Sequence, residues 1–117
     1  MSVRTERVAG EIKNAIARLF QNDYADLADG LITVTNVRMA MDLRSGRIYL
    51  SILGGAAKPE DVLNRIKAIA PQIRSGVAKA VRLKYAPELF YYLDDTQEEV
   101  AKIEEIFRKI NQDRKGN

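Results

Sequence analysis

One proline divides the most constraining stretch of this chain. Residues 65–84, RIKAIAPQIRSGVAKAVRLK, carry apolar positions Ile66 and Ile69 (continuing from Val62), then Pro71, then Ile73, Val77, Ala80 and Val81. Each set has the spacing that turns one helical face toward a core. Proline removes a backbone donor and biases the residue before it, here Ala70, away from helical angles, yet it suits the first turn of a new helix. The expectation is helix, kink, helix. The same twenty residues hold Arg65, Lys67, Arg74, Lys79, Arg82 and Lys84 and no acid. At 100° per residue from Ile73, Arg74, Ser75, Lys79 and Arg82 fall opposite the apolar stripe. Exposed helices usually mix charge signs, because i,i+4 pairs of opposite charge stabilise them. A cationic face without that support is either solvated surface or matched to a polyanion.

The chain's 117 residues suffice for one domain with its own core. The domain is expected over 1–113, with 114–117 a frayed polar tail. Cysteine and histidine are both absent. This excludes disulfides, thiolate nucleophiles and zinc-thiolate sites, and removes the commonest general base and transition-metal ligand. No catalytic residue, metal or cofactor is read from the sequence. Net charge is +3 and the isoelectric point about 9.3, so the placement of the charges matters more than their sum. No apolar run is long enough to span a membrane, and Glu6 and Glu11 argue against a transit peptide. A cytoplasmic protein, monomeric when free, is expected.

From Ser2 to about Asn22, Val8, Ile12, Ala15, Ile16 and Leu19 form one helical stripe, with Arg4, Arg7 and Arg18 on a flank that Glu11 shares. The acidic loop NDYADLADG fits no calcium-loop pattern and reads as turn chemistry. Residues 31–41 alternate as a strand, with Ile32, Val34, Asn36 and Arg38 on one side and Leu31, Thr33, Thr35, Val37 and Met39 on the other. Residues 42–47, DLRSGR, contain a Ser-Gly turn signal and lead to a second strand, 48–53, in an antiparallel hairpin whose end bears Arg44 and Arg47. Gly54-Gly55 lacks the Lys-Ser/Thr ending of a phosphate loop and reads as a strand-to-helix connection, with Pro59 at a first helical position. Gly76, mid-helix, either lets a neighbouring backbone approach or touches a ligand.

A third strand, about Glu88 to Leu93, sets Leu89, Tyr91 and Leu93 on one face and Phe90 and Tyr92 on the other. Its aromatics are either a base-stacking platform or ordinary sheet packing. Thr96-Gln97-Glu98-Glu99 is a capping box opening a last helix with Val100, Ile103, Ile106, Phe107 and Ile110 on its apolar side. Helix capping accounts for the acids Asp94, Asp95, Glu98 and Glu99. The order is therefore α-β-β-α-(kink)-α-β-α, an α+β fold with a three-stranded sheet covered by helices.

Along this order run Arg7-Val8-Ala9, Glu11-Ile12, Thr33-Val34-Thr35 with Val37, Asp42-Leu43, Tyr49-Leu50-Ser51, Ile73-Arg74-Ser75, Lys79-Ala80, Arg82-Leu83, Pro87-Glu88-Leu89 and Asp94-Asp95-Thr96. In their order and spacing they resemble the ribosome-binding factor A family. The resemblance implies a type II KH-like fold without the Gly-x-x-Gly loop of ordinary KH domains. The family's Ala-x-Gly kink falls on Ile69-Ala70-Pro71, where proline replaces glycine; Ala40 stands where serine is usual, and the family's basic tail is short or absent.

It also implies a non-enzymatic maturation factor that binds the immature small ribosomal subunit through 16S rRNA, near the 5′-terminal helix and the decoding region. Action alongside maturation GTPases and importance for growth in the cold belong to the same implication. The RNA-contacting set expected on this reading is Arg65, Lys67, Arg74, Ser75, Lys79, Arg82 and Lys84, with Arg4, Arg7, Arg44 and Arg47. The competing expectation is a protein-interaction or dimerisation module whose basic face is only solvated.

Overall fold

The computed structural model describes residues 3–94. The capping box, the last helix and the tail expected beyond Asp94 lie outside these residues. Helix α1, Val3–Gln21, buries Thr5, Val8, Ile12, Ala15, Ile16 and Phe20, the stripe read from the sequence extended to Phe20, with Leu19 half-buried against the core. The acidic loop after it holds a single 3-10 turn, Ala25–Leu27. Strand β1, Leu31–Met39, pairs antiparallel with β2, Ser45–Leu53. The chain then forms α2, Pro59–Ala68, and α3, Ala70–Ala80, and returns as β3, Glu88–Leu93. The β3 strand lies parallel to β2, so the sheet order is β1-β2-β3. Parallel neighbours need a crossover connection, and the helix pair supplies it.

The first strand departs from strict alternation. Val34 pairs with Leu50 but Asn36 with Tyr49, so Thr35 is an extra residue, a β-bulge. The bulge exchanges the two faces. Ile32 and Val34 point into the core before it, and Val37 and Met39 after it, whereas alternation assigned those pairs to opposite sides. The Thr35 hydroxyl lies 2.6 Å from Asp94 Oδ2 and 3.2 Å from Tyr49 O. Its single proton goes to the nearer carboxylate, so the bulge is fastened to the end of β3. Asp94 thus supports the sheet.

The hairpin turn also falls earlier than the Ser-Gly signal suggests. Leu43 N donates to Ala40 O and Ala40 N to Ser45 O, both at 2.9 Å, while Arg44 N donates to Asp42 Oδ1 at 3.1 Å. Leu43 takes the positive φ, 60°. Ser45 and Gly46 already belong to β2, and Gly46 is buried opposite Met39. A Cβ on Gly46 would collide with the Met39 sulfur, so this glycine serves close packing rather than a turn. Gly54 and Gly55, by contrast, have φ of 77° and 82°, the left-handed region that glycine adopts without a steric penalty. They bring the loop after β2 against Gly30, where an added Cβ would strike the carbonyls of Leu53 and Gly54. This is a connecting loop, as read from the sequence.

The kink is present within the expected Ile69-Ala70-Pro71, at Ile69 rather than at Ala70. Ile69, at φ −104° and ψ 18°, ends α2 and begins α3, while Ala70 and Pro71 form the first helical positions of α3. Ile69 N donates to Ile66 O, and Ile69 O accepts from Gln72 and Ile73, at 3.0–3.1 Å. Ile66 and Ile73, on either side of the break, are both fully buried. Each such side chain contributes about 1.5–3 kcal/mol by leaving water. In the described residues α1 packs on β1 and α3, and α2 on β3 and β2. The helices therefore lie on the sheet face that carries Val34, Ile48, Leu50, Leu89 and Tyr91.

Helix α3 ends at Ala80, with Val81 extended at φ −114° and ψ 120°. Arg82 and Lys84 consequently sit on the connection to β3, not on the helical face where 100° spacing put Arg82. Gly76 faces α1: a Cβ there would meet the Leu19 side chain at 3.0 Å. What approaches this glycine is a side chain, and no ligand contact is needed to explain it.

Candidate nucleic-acid interface

The expected basic residues occupy several places, and two of them are structural tethers. Arg74, in the first turns of α3, donates through Nε and Nη2 to Ala86 O at 3.2 and 2.7 Å. A guanidinium has five N–H donors in a fixed fork. Two of Arg74's are thus committed to holding the connection before β3 against α3, and three remain. The tether borders a groove lined by Ala70, Pro71, Ser75, Ala78 and Glu88, which sets Ser75 beside the kink. Arg65 donates through Nη1 to Leu27 O at 2.9 Å and ties α2 to the 3-10 turn. Lys67 and Lys79 are exposed on α2 and α3.

A different grouping forms between α1 and the residues after α3. Arg7 and Arg18 of α1 and Arg82 line a cleft of about 470 Å³, together with Glu11, Asn14, Ala15, Ala80 and Val81. The turn out of helix at Val81 is what brings Arg82 to α1. Glu11 is paired with Arg7 at 3.6 Å, a solvent-exposed i,i+4 contact worth a fraction of a kcal/mol. Three cations against one acid leave the cleft net positive. Arg4 lies in the first turn of α1, exposed and outside this lining. The sequence placed Arg18 on the α1 flank, yet only the fold reveals its convergence with Arg82.

A third grouping joins the hairpin turn to the α3–β3 connection. Arg44 Cζ lies 5.0 Å and Lys84 Nζ 5.5 Å from the ring centroid of Tyr85, within cation–π range. Glu88 N donates to Arg44 O at 2.9 Å and fixes the two segments together. Tyr85 is 52% exposed, so this pair of cations is presented on an aromatic base at the surface. Arg47 is elsewhere, on the sheet face away from the helices, directly opposite Arg38.

The family described as ribosome-binding factor A matches residues 4–107 of this chain. The chain belongs to the ribosome-binding factor A family. The ribosome-binding factor A of Bdellovibrio bacteriovorus is 34% identical over 114 residues, covering 97% of this chain and 85% of that protein. The crystal structure of ribosome-binding factor A from Thermus thermophilus superposes with a TM-score of 0.66 at 20% identity, over 76% of this chain and 94% of that one. A homology model of the Thermus thermophilus factor, fitted into a cryo-EM map of a complex with the 30S subunit, gives a TM-score of 0.59 at 21% identity over 74% and 90%. These likenesses bear out the α+β, KH-like fold. Ribosome-binding factor A is a family of ribosome-binding factors, not of enzymes. No helix among the described residues is long and apolar enough to cross a membrane.

Proposed function

We propose that this protein is a cytoplasmic maturation factor of the small ribosomal subunit that binds 16S rRNA on pre-30S particles through its basic surface, near the 5′-terminal helix and the decoding region. The observation that carries the reading is the cleft where Arg7, Arg18 and Arg82 converge from distant points of the chain beside a single acid. Positive groups held apart on a rigid helical frame suit phosphates spaced along an RNA backbone. The fitted Thermus thermophilus factor on the 30S subunit supports the choice of partner. Lys79, Arg44 and Lys84 extend the basic surface, while Arg65 and Arg74 chiefly hold it in shape; Arg4, Lys67 and Ser75 border it. Recognition is by charge and shape, since phosphate contacts position a protein without reading bases.

Among the described residues β1 and β3 are both sheet edges on which a strand-pairing partner, the alternative reading, would sit. The bulge at Thr35 interrupts the β1 edge, a device that discourages added strands, so a pairing partner would be sought on β3.

Co-sedimentation with purified small subunits at low and moderate salt tests the proposal. An Arg18→Glu, Arg82→Glu variant is the right probe, because neither side chain is tied to a backbone carbonyl as Arg74 is. Wild type should bind in a salt-sensitive way, and the variant should lose at least about tenfold in affinity. Equal binding by both proteins, or none by wild type at low salt, would overturn it.

A further inference from the structure

The sheet face turned away from the helices carries an array that neither the core nor the basic cleft uses. Register places Arg38, Arg47 and Phe90 side by side across the three strands, and Asn36, Tyr49 and Tyr92 in the next row. Residues directly paired across strands share a face and touch. Phe90 and Tyr92 are 44% and 43% exposed, and the Tyr49 and Tyr92 rings stack with centroids 5.7 Å apart at 30°. Arg38 and Arg47 are exposed and opposed, and neither takes part in the one ion pair found among the described residues. Directly opposed like charges destabilise a sheet, so folding gives no reason for the pair. Among the described residues, the acids near this face stand at its margins: Glu88 and Asp94 at the two ends of β3, Asp94 engaged by Thr35, and Glu6 of α1 beside Asn36 and Arg38 with Lys13 next to it. Hollows flank the arginines on both sides, one floored by Phe90 and Tyr92 and one by Asn36 and Tyr49, the latter also lined by Asp94 against the two arginines.

We propose that this face is a second RNA-binding surface, one that takes unpaired nucleotides of single-stranded RNA, with bases stacked on Phe90 and Tyr92 and the backbone phosphates held by Arg38 and Arg47. Splayed bases offer the aromatic faces that such rings bind, and a duplex keeps them inside its own stack. The two arginines supply the charge for the linking phosphates, and the Asn36 amide offers both a donor and an acceptor for base edges. The proposal rests on the ribosomal-RNA reading for its biological setting, while its test does not require the subunit.

A fluorescently labelled oligouridine is titrated with the full chain at low salt, beside a duplex RNA of equal length. Wild type should bind the oligouridine, and Phe90→Ser with Tyr92→Ser should weaken it by at least about fivefold per ring removed. Tyr92→Phe should bind as wild type does, since the ring and not the hydroxyl is used. Arg38→Gln with Arg47→Gln should weaken binding while leaving the fold no less stable, as the opposed charges are relieved. Duplex binding should be indifferent to the two serine substitutions. If oligouridine binding is unchanged in the serine variant, or wild type binds none, this surface is not an RNA platform. Loss of oligouridine binding in Arg18→Glu, Arg82→Glu alone would overturn it while leaving the cleft reading standing. Failure of subunit co-sedimentation with ring-dependent oligouridine binding intact would do the reverse.

Discussion

Tyr91 shows what a single residue carries in this sheet. Its ring belongs to the core, but its hydroxyl is buried without a hydrogen-bond partner among the described residues. Burial disfavours the phenolate and raises the pKa well above the ordinary tyrosine value. An unpaired buried hydroxyl costs about 1–3 kcal/mol of desolvation, so Tyr91→Phe should be stabilised at neutral pH by about 1 kcal/mol in urea unfolding. The two proteins should also diverge in alkali. Below pH 10 the phenol is neutral in both folded and unfolded chains, and the group's contribution is constant. Above about pH 10 the unfolded phenol ionises while the folded one keeps its proton. The unfolded state then binds fewer protons, and stability falls as pH rises, by up to about 1.4 kcal/mol per unit. The phenylalanine variant lacks that loss, so its advantage should widen above pH 10; a constant difference would mean that the hydroxyl is solvated.

At the scale of elements, the break at Ile69 has two candidate causes: the missing donor of Pro71, and the packing on either side. Ile66 and Ile73 are fully buried, α2 lies on β3 and β2, and α3 lies on α1. Those contacts fix the two axes separately, and Pro71 itself is exposed. Pro71→Ala should therefore keep two helices and lose about 0.4–1 kcal/mol, the entropy that proline removes from the unfolded chain. In hydrogen exchange the amide that this substitution introduces should stay unprotected, as a first-turn donor without a partner; protection, by a bond to Lys67 O, would show that proline alone had made the break. Helices α1 to α3, the strands and the kink were legible because burial imposes periods of 3.6 and 2 on apolar residues. The parity change at Thr35 was not, since a bulge adds a residue without changing the kinds of residue around it. Nor was the end of α3: Val81 keeps the i,i+4 spacing from Val77 and is buried, so the apolar pattern continues past the last helical residue. Gly46 misled for a related reason, because close packing against Met39 and a turn ask for the same residue.

For the whole molecule, the charge that looked like one helical stripe is divided between tethers and a surface. The sequence could name the basic residues but not their grouping, which depends on the Val81 turn and on the Arg74 and Arg65 bonds to backbone carbonyls. On the proposed reading, the cleft's Arg7, Arg18 and Arg82 with exposed Lys79 and Lys84 are the five principal phosphate contacts, Arg65 and Arg74 being engaged as tethers. Five phosphates neutralised correspond to a slope of log K against log salt of about −3.5 to −4.5, from single-stranded to duplex RNA. Removing any one of these cations lowers the magnitude by about 0.7–0.9. Arg18→Gln with Arg82→Gln should thus reduce it by about 1.4–1.8 for small-subunit binding measured across a salt series, without the repulsion that glutamates add. Arg38→Gln with Arg47→Gln acts on a different face and tests a separate term: if the sheet also meets rRNA in the subunit, the slope should fall by a similar amount, and the two pairs should add. Additivity is expected because the cleft and the open face share no side chain. A slope that ignores the cleft pair would move the phosphate contacts off α1 and the end of α3, and with them the functional reading of this surface.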